Sequence, residues 1–299
     1  MIGSLPYETE SHEPLPGVIQ GYVSVRSKGK TSPFGGLEKF PETSEPFQAT
    51  QSDRKTARQA VKSMGLSVLA ESRLGMAVAG PAEAYEELSG GKLVTRERLL
   101  HAEAGRRRYV THIDIVGSKQ PETLCLGRAK SKTTRIEGFF LERPLMLHGI
   151  FPSPIPPLSD RFYLRVPDDI AVGLGATRAH RQGQVGEGVT VAMVDSGQYP
   201  HPYFTVHDYD VRPTVAVVPN TSPTEDPVGH GTGESANIFA VAPGATLQPY
   251  RASNNQGNLV AAIAAFLAAK AASPQILTNS WGGDGPFPPF GPPDQFEVA

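Results

Sequence analysis

The 299-residue sequence holds one cysteine, Cys125, so no internal disulfide can form. This is compatible with a reducing compartment without requiring one. There is no apolar run long enough to span a bilayer: the most apolar stretch, 259–272, is short and interrupted by Lys270. There is also no excess of charge of either sign. Lys and Arg number 28 against 30 Asp and Glu, a net charge of −2, which gives no reason to expect a nucleic-acid or anionic-membrane partner. The start of the chain lacks the basic segment and following apolar run of a secretory leader. We therefore expect a cytoplasmic chain, with secretion left open.

Hydrophobic residues at 39% and charged residues at 19% indicate a folded chain, and its length allows two ordinary domains. The 31 glycines and 28 prolines imply many turns. Residues 17–26 have the β-branched and aromatic content of a strand. A helix is expected over 52–64, capped at Ser52, with Ala57, Ala60, Val61 and Met64 on one stripe and Gly65 as its stop. Residues 66–74 and 75–80 read as a strand pair, 82–88 as a helix with Pro81 at its first turn, and 92–98 as a returning strand. The order β-α-β-β-α-β is the split βαβ pattern. Two further alternating stretches, 108–116 and 134–142, suggest an added hairpin or sheet extension. We thus expect a smaller α+β domain over 1–150, a proline-rich linker over 151–165, and a second domain over 166–299.

In the second domain strands alternate with helices. Residues 189–194 form a continuous apolar run typical of a strand buried in a parallel sheet. Further strands are expected over 211–218, 245–251 and 275–280, with a helix over 259–272. This alternation predicts an α/β fold with a parallel sheet and a site at the carboxyl ends of its strands. Asp195 and Ser280 both fall at such ends.

Two motifs carry the chemistry. Gly188 to Gly197 delivers Asp195 into a tight turn, and Val228-Gly-His-Gly-Thr232 delivers His230 at a helix start flanked by glycines, with Thr232 as a candidate cap. Each has a plain structural alternative: Asp followed by small residues is ordinary turn chemistry, and a histidine can simply be satisfied at a helix N-terminus.

Together with Ala240-Val-Ala-Pro-Gly244 and Asn279-Ser-Trp-Gly282, these motifs make residues from about 165 to 299 resemble the first half of a subtilisin-like serine protease domain. Residues 174–180 before 186–197 resemble that family's approach to its first core strand, and residues 52–98 resemble its propeptide more weakly. The resemblance implies that Asp195 is the orienting carboxylate and His230 the general base of an Asp/His/Ser triad acting on a peptide or protein substrate. It implies that Ser280, Trp281 and Gly282 line the substrate cleft, where an extended peptide pairs through its backbone. For Trp281, the sole tryptophan, a role as a core aromatic stays open. No cofactor or metal ligand is expected. Calcium rests on the resemblance alone, and Asp208 and Asp210 read as solvated loop residues.

The chain departs from the family pattern in places. Gly233 and Glu234 stand where a second histidine usually follows His-Gly-Thr, and the stretch from His230 to Pro243 is short. Neither the oxyanion asparagine nor the Gly-Thr-Ser motif of the nucleophile occurs in the 299 residues. Ser196, Ser235 and Ser280 are not expected to substitute. The leading expectation is therefore the propeptide-bearing N-terminal portion of a subtilisin-like endopeptidase, inactive without a further C-terminal portion of the same protein. A non-catalytic truncated pseudoprotease or inhibitory binding module, and half of a split protease, stay open beside it.

Overall fold

The computed structural model describes residues 8–10, 13–29, 43–103, 106–116, 126–129, 133–142, 145–147 and 164–282. Residues 151–163 of the expected linker, Cys125 and the stretch 283–299 lie outside the described residues. The chain divides into two compact units, the first with its described residues within Met1–Pro144 and the second spanning Leu145–Gly282. No described helix is long and apolar enough to cross a membrane.

The first unit runs β1 (Glu8–Glu10), β2 (Ile19–Val25), α1 (Gln51–Ser63), β3 (Ser67–Glu71), β4 (Gly75–Gly80), α2 (Ala82–Ser89), β5 (Lys92–Glu103), β6 (Arg106–Val116), β7 (Leu126–Arg128) and β8 (Ile136–Leu141). Helix α1 is capped by Thr50 rather than Ser52. The Thr50 hydroxyl oxygen accepts the Asp53 N–H at 3.1 Å, and the hydroxyl donates to Asp53 Oδ2 at 2.8 Å. Ser52 lies inside the helix, its carbonyl accepting the Thr56 hydroxyl at 3.1 Å. Pro81 is the cap of α2, and Gly90 at φ 74° closes that helix.

The β-α-β-β-α-β order is present, but β5 is not the strand that completes the sheet. The five-stranded sheet has the order β3-β4-β2-β8-β7 with antiparallel pairing throughout. Strand β5 instead pairs with β1 and, along its whole length, with β6. The reason lies in which strand has an apolar face to give. In β8 Ile136, Phe139 and Leu141 join Val23, Val78, Ala57, Val61 and Tyr85 in one core. Among the hairpin residues whose burial is described, Leu93 and Ile115 are buried in that core. Burying each large apolar side chain contributes about 1.5–3 kcal/mol, so this core favours β8 beside β2.

The second unit runs β9 (Met146–Leu147), α3 (Asp168–Gly173), α4 (Thr177–His180), β10 (Thr190–Asp195), α5 (Pro202–Val206), β11 (Asp210–Val211), β12 (Val215–Ala216), α6 (His230–Val241), β13 (Thr246–Arg251), α7 (Ala262–Ala271), β14 (Ile276–Thr278) and β15 (Trp281–Gly282). The sheet order is β11-β13-β10-β14, with β12 also on β13, and every pairing is parallel. The expected strand over 211–218 is broken into β11 and β12. The gap holds Pro213 and lies across from the stretch of β13 that contains Pro249, and neither proline has an N–H for the ladder. The expected helix over 259–272 starts only at Ala262. Leu259 bridges to Ser253, and the N–H groups of Val260 and Ala261 both donate to the Ala252 carbonyl.

Candidate functional site

Strand β10 is buried from Val191 to Asp195 and ends at a fully buried carboxylate. The next residues turn sharply, and the Ser196 N–H donates to Asp195 Oδ1 at 2.7 Å. Helix α6 starts at His230, whose ring is also buried. Its Nδ1 lies 2.8 Å from Asp195 Oδ1 across 35 positions of sequence. A carboxylate oxygen can only accept, so Nδ1 carries the proton and the lone pair of the neutral ring is on Nε2. Asp195 Oδ2 is buried without a hydrogen-bond partner among the described residues.

The close approach depends on glycine. A Cβ on Gly231 would stand 2.1 Å from the Gly197 carbonyl oxygen and 3.1 Å from Asp195 Cβ. Gly229, just before the helix, has φ 73°, a conformation that side chains with a Cβ rarely adopt.

The cap of α6 was not legible in the sequence. Thr232 does not supply it; Asp226 does. Asp226 Oδ1 accepts the Gly229 N–H at 3.0 Å and the Ser196 hydroxyl at 2.7 Å. Its Oδ2 accepts both the N–H and the hydroxyl of Thr232, at 2.8 and 2.7 Å. Ser196 Oγ in turn accepts the Gly231 N–H at 3.0 Å. One carboxylate thus ties the turn after Asp195 to the helix bearing His230. The available signal was an acid four residues before the histidine, the spacing at which a loop can fold back on a helix start.

Arg251 steadies the same loops from below. It ends β13 beside Asp195 in register and is fully buried. Its guanidinium donates to the carbonyls of Ser222 at 2.7 Å and Asn254 at 3.0 Å, and Glu225 lies 3.7 Å away. The Ser253 hydroxyl donates a hydrogen bond to the Ser196 carbonyl.

Trp281 arrives at the same end of β10. Its indole is buried and donates to the Val194 carbonyl at 2.7 Å. Its backbone pairs with Leu147, and Gly282 with Met146, in a short antiparallel ladder. Ser280 is half-buried just before it. Asp195, His230 and Trp281 are therefore brought together at the carboxyl end of one strand. The serines weighed as substitutes near the histidine are occupied: Ser196 as above, and Ser235 by the Gly231 carbonyl at 2.7 Å. Asp210 accepts the Thr246 hydroxyl at 2.6 Å, Asp208 is exposed, and the described residues include no cluster of three His, Cys, Asp or Glu side chains placed to hold a metal.

A buried carboxylate on the inner nitrogen of a histidine, at the carboxyl end of a parallel sheet, can fix the ring's tautomer and stabilise its protonated form. In comparison with known proteins, part of the chain is similar to subtilisins. It is 36% identical over 81 residues to Subtilisin BL and to Subtilisin Savinase of Lederbergia lenta, covering 24% of this chain and 28% of each relative. It is 36% identical over 107 residues to the minor extracellular protease Vpr of Bacillus subtilis, covering 28% of this chain and 12% of that protein. The matched region thus spans little more than a quarter of the length of the two subtilisins and about an eighth of Vpr. No family model matches the chain.

Proposed function

We propose that this chain carries the base and orienting carboxylate of a subtilisin-like serine endopeptidase. The observation that carries the reading is the 2.8 Å contact between His230 Nδ1 and the buried Asp195 carboxylate. In this reading Asp195 holds the ring in the Nδ1–H tautomer and stabilises the imidazolium. His230 takes the proton of a serine hydroxyl through Nε2 and then returns it to the leaving amine. The substrate is a peptide or protein laid in extended form along Ser280, Trp281 and Gly282. In support, the backbone of Trp281 and Gly282 pairs with an extended segment of this same chain. The chemistry requires no cofactor, and neither a nucleic acid nor a membrane takes part. The first unit is a propeptide-like domain, a reading supported by its βαββαβ order.

The nucleophile and the oxyanion asparagine come from a further portion of the same protein, and the 299 residues alone do not hydrolyse peptides. The test is labelling by a fluorophosphonate probe. The complete natural protein is labelled on a serine, and labelling falls sharply in its His230→Gln variant. The 299-residue chain is not labelled.

The commitment of the Ser196 and Ser235 hydroxyls elsewhere favours a second reading, a non-catalytic binding or inhibitory module. Failure of the folded natural protein to label would select that reading over the enzyme.

A further inference from the structure

We propose that Glu234 is a positioning residue that faces the outer nitrogen of His230 and sets the pH range over which this imidazole acts as a base. The inference rests on the base role given to His230 above.

Glu234 lies one helical turn after His230 on α6, the spacing that places two side chains on the same face. Its Oε1 is 3.9 Å from His230 Nε2. The ring is therefore set between two carboxylates, Asp195 at 2.8 Å on Nδ1 and Glu234 at 3.9 Å on Nε2. The two contacts differ in kind. The first is a hydrogen bond within the interior. The second exceeds hydrogen-bond reach, and the Glu234 side chain is 26% exposed against 5% for His230. Glu234 thus attracts the protonated ring by its charge rather than by a hydrogen bond.

When the ring is neutral, its Nε2 lone pair faces a negative carboxylate; when it is protonated, the same carboxylate stabilises the imidazolium. Both effects favour the charged ring. Other charged groups act on this ring from the elements around it. Asp195 on β10 works in the same direction, and Asp226 stands at the start of α6. Arg251 on β13 is occupied by Ser222, Asn254 and Glu225, and the positive N-terminal end of α6 opposes protonation. Glu234 is the group whose removal leaves the cap and the Asp195 contact in place. It also occupies the stretch where the chain departs from the subtilisin-like pattern, directly after Gly233.

The test follows the imidazole nitrogens of His230 by NMR in the 299-residue chain from about pH 4 to pH 9, the range around an ordinary histidine. Glu234→Gln keeps the shape of the side chain and removes its charge. Its His230 should titrate lower by about half to one pH unit, and the difference should shrink at high salt because the carboxylate is partly exposed. Glu234→Ala should show the same shift, which separates charge from packing. An unchanged His230 titration in both variants, with the wild-type Nδ1 proton still bonded to Asp195, would overturn the role of Glu234 alone. Loss of that Nδ1 signature in the wild-type chain would instead overturn the base assignment on which this inference rests.

Discussion

The Ser196 hydroxyl and the Asp226 carboxylate meet at 2.7 Å, 30 positions apart, and through them the turn after Asp195 is joined to the start of α6. The same carboxylate caps that helix at Gly229 and Thr232. Asp226→Ala should therefore strand the Thr232 N–H and hydroxyl and the Ser196 hydroxyl at once, and leave the Gly229 N–H only the backbone carbonyl of residue 226. The expected loss is about 1–3 kcal/mol of stability, measured by urea denaturation. Thr232→Val, which removes one of the hydrogen bonds to Asp226 and the exposed one from the Tyr199 N–H, should cost less. Equal stability of Asp226→Ala and the wild type would refute the capping role.

Two glycines of the same helix should respond in opposite directions. Gly231→Ala drives a methyl group into the Gly197 carbonyl and should cost about 1–3 kcal/mol or more while pushing His230 from Asp195. Gly233→Ala meets nothing within 4 Å. In a helix interior that change should stabilise by about 0.5–1 kcal/mol. Thermal denaturation of the two variants distinguishes them by the sign of the change in Tm.

Trp281 reports on the second unit without interference, because it is the sole tryptophan. Its buried indole should emit at short wavelength and shift to the red on unfolding. Trp281→Phe keeps an aromatic ring but leaves the Val194 carbonyl without this donor. A cost of about 0.5–1.5 kcal/mol is expected. Native emission already at the wavelength of solvated tryptophan would contradict the packing described.

Alkaline pH should weaken the first unit. Burial pushes the pKa of Tyr85 up, and the Glu142 charge adds to this; burial also raises Tyr22, against a smaller opposing effect from its bond to Ser72. A tyrosine raised in the folded state holds its proton where the unfolded chain would release it. Its stabilisation is thus complete below about pH 10, the ordinary tyrosine value, and is lost as pH rises above it. Urea midpoints should hold up to about pH 10 and fall above it, and Tyr85→Phe should flatten that fall. The same variant loses the 2.9 Å bond to the Ile19 carbonyl, so it should begin from a lower midpoint. Parallel slopes in variant and wild type would count against ionisation of Tyr85.

The legible parts of the fold were those with local causes. The run Val189 to Val194 could only be a buried strand, and Gly90 marks the end of α2 as a residue free to adopt positive φ. The β-α-β-β-α-β order was legible for the same reason. Which strand would sit beside β2 was not, because pairing between distant strands is decided by competing faces, and β8 brings Ile136, Phe139 and Leu141 to the shared core. The break at Pro213 shows the same limit, since it depends on the neighbouring strand as much as on the residue itself. At the site, Asp195 and His230 stood out because each is flanked by glycine or small residues that permit close approach. Asp226, between Glu225 and Pro227, reads as an ordinary loop acid until folding brings Ser196 and Thr232 to it. Arg251 was hidden likewise, its cation buried only by loops that come from elsewhere in the chain.

The claim on which the rest depends is that Asp195 holds the inner nitrogen of His230. It is tested most directly by nitrogen-edited proton NMR of the histidine rings in the native chain, with His230→Gln to assign the signal. The account predicts a slowly exchanging, far-downfield Nδ1 proton that belongs to His230 and persists near neutral pH. A His230 ring whose Nδ1 is unprotonated near neutral pH, in a chain that is otherwise folded, would contradict it.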